Sequence, residues 1–353
     1  MKISQLYVYP IKSLRGTAVT EWEISKTGLQ YDRKFMLLQV MDDDAKPPKL
    51  KNMHVAEYSQ MTLYDMEMIA KEDPARAEIK VTYVPPRGDA RAGGSITIPL
   101  LPDVAGLPKL DVNMHQSPTV AYNMGSTYNT WFSSCFGFDV VLAYIDKNIR
   151  PILGTFSPSS TDTLKRGSSM FSRLNPLPRL GLSWALEAKE EGLTFADCAS
   201  FLVVTEASLK DASARLPGDE EMDVTKFRPN LVLSGAKEAW EEDFWGEIAI
   251  GPDCQAPDVA PVHIALTKNC VRCRSINIDY ATGRPGTGEA GSMLKKLMKD
   301  RRVDKGVKYS PVFGRYGYLS QGVGSKIGVG DEVSVVKQLQ ERTTFDWPGV
   351  GGN

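Results

Sequence analysis

Leu266-Thr267-Lys268-Asn269-Cys270-Val271-Arg272-Cys273-Arg274 closes an apolar run and turns abruptly polar and basic. It holds two of the chain's five cysteines and three of its cations. Soft sulfur amid positive charge suits a metal, an anionic cofactor, or both. Residues 262–266 just before it read as a buried strand. Beyond Cys273, Ile276, Ile278 and Tyr280 alternate with Ser275, Asn277 and Asp279, the period of another strand. The motif therefore sits in a β framework, and not at the start of a helix.

Outward from that stretch, short strands recur. Residues 2–9 form one, broken at Pro10, which donates no backbone hydrogen bond. Residues 18–24 form a second, and 35–40 a third, apolar enough to be buried on both faces. Residues 61–64, 77–83 and 95–98 follow, the last two joined by a long hairpin-like loop over 85–94. Residues 111–121 carry no clear period. A helix is predicted over 122–136, with Gly137 as its stop, then a strand over 138–145. Residues 150–181, rich in Pro, Ser and Gly, read as an exposed connection. Residues 201–205 are a buried strand, and Thr205 or a neighbour caps a helix that runs to Leu216 and ends at Pro217-Gly218. Strands over 227–233, 247–250 and 332–337, and a basic helix near 293–299, complete the chain. So many strands with so few helices predict a mixed α+β, predominantly β fold of two β-barrel-like domains, not a doubly wound sheet.

A chain of 353 residues is long enough for about two domains. Its formal net charge of −1 points to no nucleic acid and no anionic membrane, so any positive site is local. An odd number of cysteines in a chain this long is not a secreted disulfide framework and suits a reducing compartment. No run approaches the ~18 apolar residues of a membrane span. The first residues already read as a strand, with no charged-then-apolar leader. The expectation is a soluble, cytoplasmic protein. A mitochondrial outer-membrane association requires an anchor outside this sequence.

Cys270-Val271-Arg272-Cys273 is formally a C-x-x-C. Half of a zinc site is one reading, but no second pair exists to complete four ligands. A thioredoxin-like pair needs a helix start. Two small buried hydrophobes are the bland alternative, which leaves Lys268, Arg272 and Arg274 unexplained. One thiolate inside an anion-binding pocket fits better, because nearby cations stabilise it. Gly286-Thr287-Gly288-Glu289-Ala290-Gly291 matches G-x-G-x-x-G, but lacks the preceding strand and the second strand of a dinucleotide site, and reads as turn and cap. His54, His115 and His263 lie in unrelated sequence contexts and read as structural. Lys12-Ser13, Arg33 and Arg228-Pro229-Asn230 are polar groups at strand edges. Each alone is a solvated loop; together with Cys273 they make a phosphate cradle only if the fold converges them.

Six motifs in order carry a resemblance: Tyr9-Pro10-Ile11-Lys12-Ser13, Tyr31-Asp32-Arg33, Phe227-Arg228-Pro229-Asn230, Arg272-Cys273, Ser310-Pro311-Val312-Phe313-Gly314-Arg315-Tyr316 and Val329-Gly330-Asp331-Glu332-Val333. Over nearly its whole length the chain resembles MOSC proteins with an N-terminal MOSC barrel. Among these it is similar to the mitochondrial amidoxime-reducing component family. The resemblance implies an N-terminal barrel domain over 1–120, a helix and Pro/Ser-rich connection over 121–180, and a MOSC domain over 181–353. It implies a molybdenum-pterin cofactor (Moco) with Cys273 as metal ligand and catalytic residue. Lys12, Ser13, Arg33, Arg228, Asn230, Val271, Arg272 and Tyr316 match positions that bind the pterin and its phosphate. Cys198-Ala199-Ser200 matches a backbone-binding loop but lacks its usual proline. Pyridoxal phosphate binding goes with the fold class at large and falls on no residue. The implied activity is reduction of N-hydroxylated compounds such as amidoximes and hydroxylamines. No ferredoxin-type cysteine cluster is present, so electrons come from a separate donor; in the family that is cytochrome b5 with its NADH-dependent reductase. A cofactor-binding or sulfur-carrier module, like the MOSC domain of molybdenum cofactor sulfurases, and a metal-free barrel scaffold are the competing readings.

Overall fold

The computed structural model describes residues 1–350 except 43–44, 46–48, 71–72, 74, 90, 92, 160–190 and 252–259. The chain is mostly β, built as one closed seven-strand barrel and a second, nearly closed one. Around the closed barrel the order is Leu231–Ser234, Phe201–Thr205, Val312–Gln321, Val262–Val271, Trp245–Gly251, Glu332–Gln338 and Lys2–Val8. Lys2–Val8 then pairs back onto Leu231–Ser234, which closes the ring and leaves that strand without a free edge. The neighbours run antiparallel except Phe201–Thr205 and Leu231–Ser234. A parallel pair needs a crossover, and the helix Glu206–Ser213 supplies it. Thr205 caps that helix by accepting from the Ser208 backbone N–H.

Alternation dictates the interior. In Lys2–Val8 the residues Ile3, Leu6 and Val8 are buried between more exposed ones. They meet Val203, Leu231, Leu233, Ile248, Ile250, Ile264 and Leu266 in one core. Val312–Gln321 crosses its neighbours so closely that side chains are excluded at two points. A Cβ on Gly314, at φ 82°, would lie 2.7 Å from Val204, and one on Gly317 would lie 2.7 Å from Ile264.

The second barrel combines the sheet Lys109–Met114, Ser117–Asn123, Val140–Tyr144, Phe35–Asp42, Lys49–Asn52 with the three-stranded Tyr64–Ile69, Glu78–Tyr83, Gly94–Pro99. The helix Ser126–Phe136 seals one side, placing Phe136 in a stack on Tyr64 at 4.9 Å. Gly137 ends it in the left-handed conformation, its N–H bonded to the Ser133 carbonyl.

Several elements differ from the sequence expectation. The helix begins at Ser126, because residues 117–123 are the return strand of a hairpin with Lys109–Met114. The turn at His115 and Gln116 has positive φ at both residues, 53° and 63°, which suits a two-residue hairpin but lacks its usual Asn-Gly signature. Residues 61–64 are mostly a 3₁₀ turn, Ser59–Leu63, and the strand starts after it. Residues 227–230 are also not a strand: the turn Val224–Phe227 ends at Arg228 in the left-handed region. Alternation after Cys273 belongs to a turn, Arg274–Asn277, and a two-residue strand. Most of the 150–181 connection lies outside the described residues.

Against the barrel wall the turn Glu241–Phe244 buries two carboxyl groups, Glu242 and Asp243. Glu242 Oε2 accepts from Ser208 Oγ (2.8 Å) and Thr205 Oγ1 (3.2 Å), while Oε1 is buried without a partner. Burial raises its pKa to about 7, against the Ser208 hydrogen bond. A carboxyl raised in the folded state is neutral there but ionised in the unfolded chain between its ordinary value and pH 7. Its contribution is fully present below pH 4.5 and is lost as pH rises through 7. The penalty above pH 7 is about 3 kcal/mol at ~1.4 kcal/mol per unit. Glu242→Gln is expected to raise stability by up to that amount at pH 8, with the gain vanishing toward pH 4.5. Urea melts of both proteins at several pH values check this; a pH-independent difference is the contrary result.

Candidate functional site

The sequence-named residues converge at the rim of the closed barrel, where it meets the second barrel. Lys12 and Ser13 follow the first strand, and Arg33 precedes Phe35–Asp42. The Arg33 N–H bonds to the Tyr9 carbonyl, tying these two segments together. Arg33 donates to Asp32 Oδ2 (2.5 Å), Asn230 Oδ1 (3.1 Å) and the Arg228 carbonyl (3.2 Å). Arg228 donates in turn to the carbonyls of Leu14 (2.7 Å) and Ser13 (3.4 Å). Both guanidinium groups lie over the Tyr9 ring, at 4.2 and 4.6 Å from its centroid. Asn230 is buried and also accepts from the Leu202 N–H and donates to the Tyr7 carbonyl. Ser13, Arg33 and Arg228 all have positive φ, 71°, 49° and 58°. Such conformations cost of order 1–3 kcal/mol each for non-glycine residues and cluster where geometry is functional.

On the other side, Arg272 donates to the Phe227 carbonyl (2.8 Å) and to Cys270 Sγ (2.9 Å). This joins the Cys273 stretch to Arg228, the residue after Phe227. Cys270 and Tyr316 are hydrogen-bonded. Burial pushes the Cys270 thiol up, opposed by Arg272 and Tyr316; Tyr316 is pushed up too, by burial and then Cys270. Cys270 is buried, whereas Cys273 is exposed, with Ser275 Oγ at 3.2 Å. Val271 ends the strand between them, partly buried. Cys198, Ala199 and Ser200 are buried and lead into Phe201–Thr205. The Cys198 carbonyl accepts from the Tyr318 hydroxyl, and Gly28 packs on the Ser200 backbone, where a Cβ would approach its oxygen to 2.8 Å. The residue before this loop, Asp197, pairs with Lys12.

The three cations of the opening stretch do not surround Cys273. Lys268 points away and bonds Thr155 Oγ1 and the Thr344 carbonyl, both at 2.6 Å. Arg274 grips the Ala56 carbonyl at 2.7 Å. Only Arg272 stays near the sulfur atoms, held by nearby Cys270 and by the Phe227 carbonyl from distant chain. Sequence reasoning gave no role to Tyr9 as the ring between two arginines, to Asp32, or to Asp197. Tyr9 and Asp32 lie inside quoted motifs, which is the signal that could have found them; Asp197 had none.

The charges test whether an anionic cofactor fits. Lys12, Arg33, Arg228 and Arg272 supply four positive charges. Asp197 and Asp32 pair with the first two. Among the described residues, Arg228 and Arg272 have no carboxylate partner, so these groups leave about two positive charges in surplus, with Arg150 adding to it from the Asp197 loop. A phosphate monoester carries about −1.5 to −2 near pH 7, which matches. Arg272 Nε is buried without a partner, a donor left for a ligand. A zinc site does not fit, since among the described residues no three His, Cys, Asp or Glu side chains converge to hold a metal ion. The residues present therefore suit a phosphate-bearing cofactor with a single soft protein ligand.

The comparisons with known proteins agree with this geometry. The MOSC N-terminal beta barrel domain family matches residues 1–139, and the MOSC domain family matches residues 190–334. This chain is a two-domain MOSC protein. The MOSC protein is 26% identical over 343 residues to the molybdenum cofactor sulfurase of Arabidopsis thaliana, covering 94% of this chain and 35% of that one. It is 25% identical over 341 residues to mitochondrial amidoxime-reducing component 1 of Mus musculus, covering 95% of this chain and 82% of that one. Over 150 residues it is 32% identical to amidoxime-reducing component 1 of Homo sapiens, 42% of this chain and 40% of that one. Thus the MOSC protein spans about a third of the sulfurase and most of the mouse protein. No helix among its described residues is long and apolar enough to cross a membrane.

Proposed function

We propose that this MOSC protein binds the molybdenum-pterin cofactor and reduces N-hydroxylated compounds, amidoximes and hydroxylamines, with electrons from a separate donor. The observation that carries the reading is the exposed thiol of Cys273 beside a cation cradle, buried at Lys12 and Arg272 and half-buried at Arg33 and Arg228, with positive charge in surplus. Arg228, Arg272, Arg33 and Lys12 would hold the phosphate, with Ser13 and Asn230 completing the polar lining. Cys273 would ligate the metal as a thiolate, and Tyr316 and the Cys198–Ser200 backbone would flank the pterin. When bound, the cofactor supplies two-electron chemistry that no side chain here provides. Of the two cysteines Cys270 is buried and Cys273 exposed, so Cys273 is the one that would meet substrate. The donor is proposed to be a cytochrome b5 with its NADH-dependent reductase.

The test is molybdenum per chain, and turnover of an amidoxime with a chemical or cytochrome donor. About one molybdenum per chain with turnover is expected. Protein from a cofactor-competent host that holds no molybdenum overturns the proposal. The match to a sulfurase over 94% of the chain favours a second reading, a carrier of cofactor or sulfur. Bound cofactor with no turnover by any donor selects that one.

Arg228→Ala is expected to weaken cofactor retention roughly 10–100-fold, the usual loss on removing an outer-shell group of a metal site. Its side chain spans two carbonyls without filling the core, so thermal unfolding should shift little. Unchanged molybdenum occupancy after gel filtration removes Arg228 from the cradle.

A further inference from the structure

One of the three histidines, read from sequence as unrelated to any site, reaches the cradle, and a second lies near it. His115 Nε2 lies 3.3 Å from Asp197 Oδ1, and the same carboxylate holds Lys12. His54 is close enough that Lys12, Asp197 and His115 all act on it electrostatically. His54 lies two residues from Ala56, whose carbonyl is gripped by Arg274, and Arg274 directly follows Cys273. Arg150 fixes the arrangement. It is fully buried and donates to the carbonyls of Thr194 (2.8 Å), Met114 (2.9 Å), Ala196 and Asp197 (3.1 Å). One guanidinium thus binds the Asp197 loop to the hairpin turn that carries His115. From the far side Trp347 Nε1 donates to the His115 carbonyl at 2.8 Å. His115 is held by its backbone, by its ring and by both neighbouring segments, more constraint than a solvent-facing turn residue requires.

We infer that His115, oriented by Asp197, is the proton-transfer group of the Cys273 site. This rests on the reductase reading. Reduction of an N–OH group breaks the N–O bond. Two electrons come from the external donor, the oxygen leaves as water, and two protons must be delivered, one to the oxygen and one to the nitrogen. The chain needs a group that exchanges with solvent and stands at the cradle. His115 is one-third exposed and does both.

The charges around the pair assign its proton. Packing around the Asp197 carboxyl pushes it up, though its side chain is still over half exposed, and Lys12 and then His115 outweigh that and hold it well below its ordinary range. The carboxylate therefore carries no proton to donate, and His115 Nε2–H is the donor in that hydrogen bond. Nδ1 is left as the nitrogen that picks up and passes on a proton. Lys12 is pushed down by burial and pulled back by Asp197, with Arg150 and Arg33 repelling it. His54 is pushed down by burial, then by Lys12, which suits it less as the charged donor. Cys198 is pushed well up by burial and then by Asp197, so it stays a neutral thiol and does not compete.

The experiment compares wild type, Asp197→Asn and His115→Asn, each isolated with cofactor. Asparagine tolerates the positive φ at position 115, so the turn survives the substitution. Nitrogen-15 spectra of the three imidazoles are read first. In wild type His115 should show the Nε2–H tautomer. Asp197→Asn should shift His115 and leave His263, which pairs with Glu247 at 2.9 Å elsewhere, unmoved. A His115 signal indifferent to Asp197→Asn overturns the pair. Amidoxime turnover is read second, at matched molybdenum content. Both variants should fall roughly 100-fold in kcat, the usual range for losing a general acid, and lose the basic limb of the pH–rate profile. Turnover within twofold of wild type with an unchanged profile overturns the proton role. Loss of molybdenum from His115→Asn also overturns it, by making the residue a cofactor anchor. A wild type that holds molybdenum and reduces nothing overturns the reductase reading and the proton role with it, while the His115–Asp197 coupling remains visible in the spectra.

Discussion

Cys273→Ala is expected to fold like the wild type and to lose at least about a thousandfold in amidoxime reduction, roughly 4 kcal/mol of barrier. The two halves have separate causes. Cys273 is exposed, and its sulfur has one polar neighbour, Ser275 Oγ at 3.2 Å. Removing it opens no cavity, so stability should change by less than about 0.5 kcal/mol. The chemistry depends on it because it is the proposed direct ligand, and the neighbouring Cys270 cannot substitute. Cys270 is buried and engaged by Arg272, and it precedes Cys273 by three residues along largely extended chain. Three extended residues span about 10 Å, too far to deliver a second sulfur to one metal. Cys270→Ala is the informative contrast. It strips a buried guanidinium of an acceptor and should cost stability, about 1–3 kcal/mol, while leaving molybdenum bound. Metal content, turnover and thermal melts on both variants separate the cases. A Cys273→Ala protein with near wild-type turnover would refute the ligand assignment.

The largest loss of stability is expected at Asp243→Ala. Asp243 is fully buried; both its oxygens accept from one guanidinium nitrogen of Arg301 (2.9 and 2.8 Å), and Oδ2 also accepts from Arg342 Nε (2.8 Å). Arg301 is itself buried, and its guanidinium lies 4.0 Å from the Trp240 ring centroid. Removing the carboxylate leaves that charge uncompensated inside the protein. Breaking one side of a buried pair costs about 3–5 kcal/mol. Urea denaturation should show a lower midpoint at an unchanged slope. The double variant Asp243→Leu with Arg301→Met should recover most of the loss, since neither charge then remains stranded. A single variant within 1 kcal/mol of wild type, roughly the scale of an exposed pair, would mean solvent reaches the cluster.

Legibility in the sequence followed the range of the interactions. Strand Phe201–Thr205 has five buried residues and was readable from five letters. Val262–Val271 was readable only to Leu266, because Thr267, Lys268 and Asn269 are polar yet buried. Lys268 is satisfied by Thr155 and Thr344, and Asn269 by Arg315, partners from tens to over a hundred residues away. Val312–Gln321, which lies between two barrel strands, carries two glycines and an arginine and gave no strand period. Its glycines mark close approach, and Arg315 is buried on the Trp245 and Leu266 carbonyls and Asn269. The cradle residues were found because short motifs name them. What the motifs did not hold was direction. Adjacent Lys268, Arg272 and Arg274 diverge, while Arg33 and Arg228, far apart in sequence, stack on one tyrosine. His115 and Asp197 are invisible as a pair for the same reason.

The first strand of the chain closes the barrel that carries Cys273, although it lies within the segment matched by the N-terminal family. The MOSC match over residues 190–334 supplies five of the other walls and the start of the sixth, Glu332–Gln338. The cradle is divided the same way, with Lys12, Ser13 and Arg33 on one side of the join and Arg228, Asn230, Arg272 and Cys273 on the other. Heredity is constrained by this. A gene split or recombined between the two matches would leave the Cys273 barrel short of its closing strand and hand each daughter part of a binding site. The two segments are therefore expected to travel through genomes as one unit, and their order along the chain to be preserved wherever the cradle is.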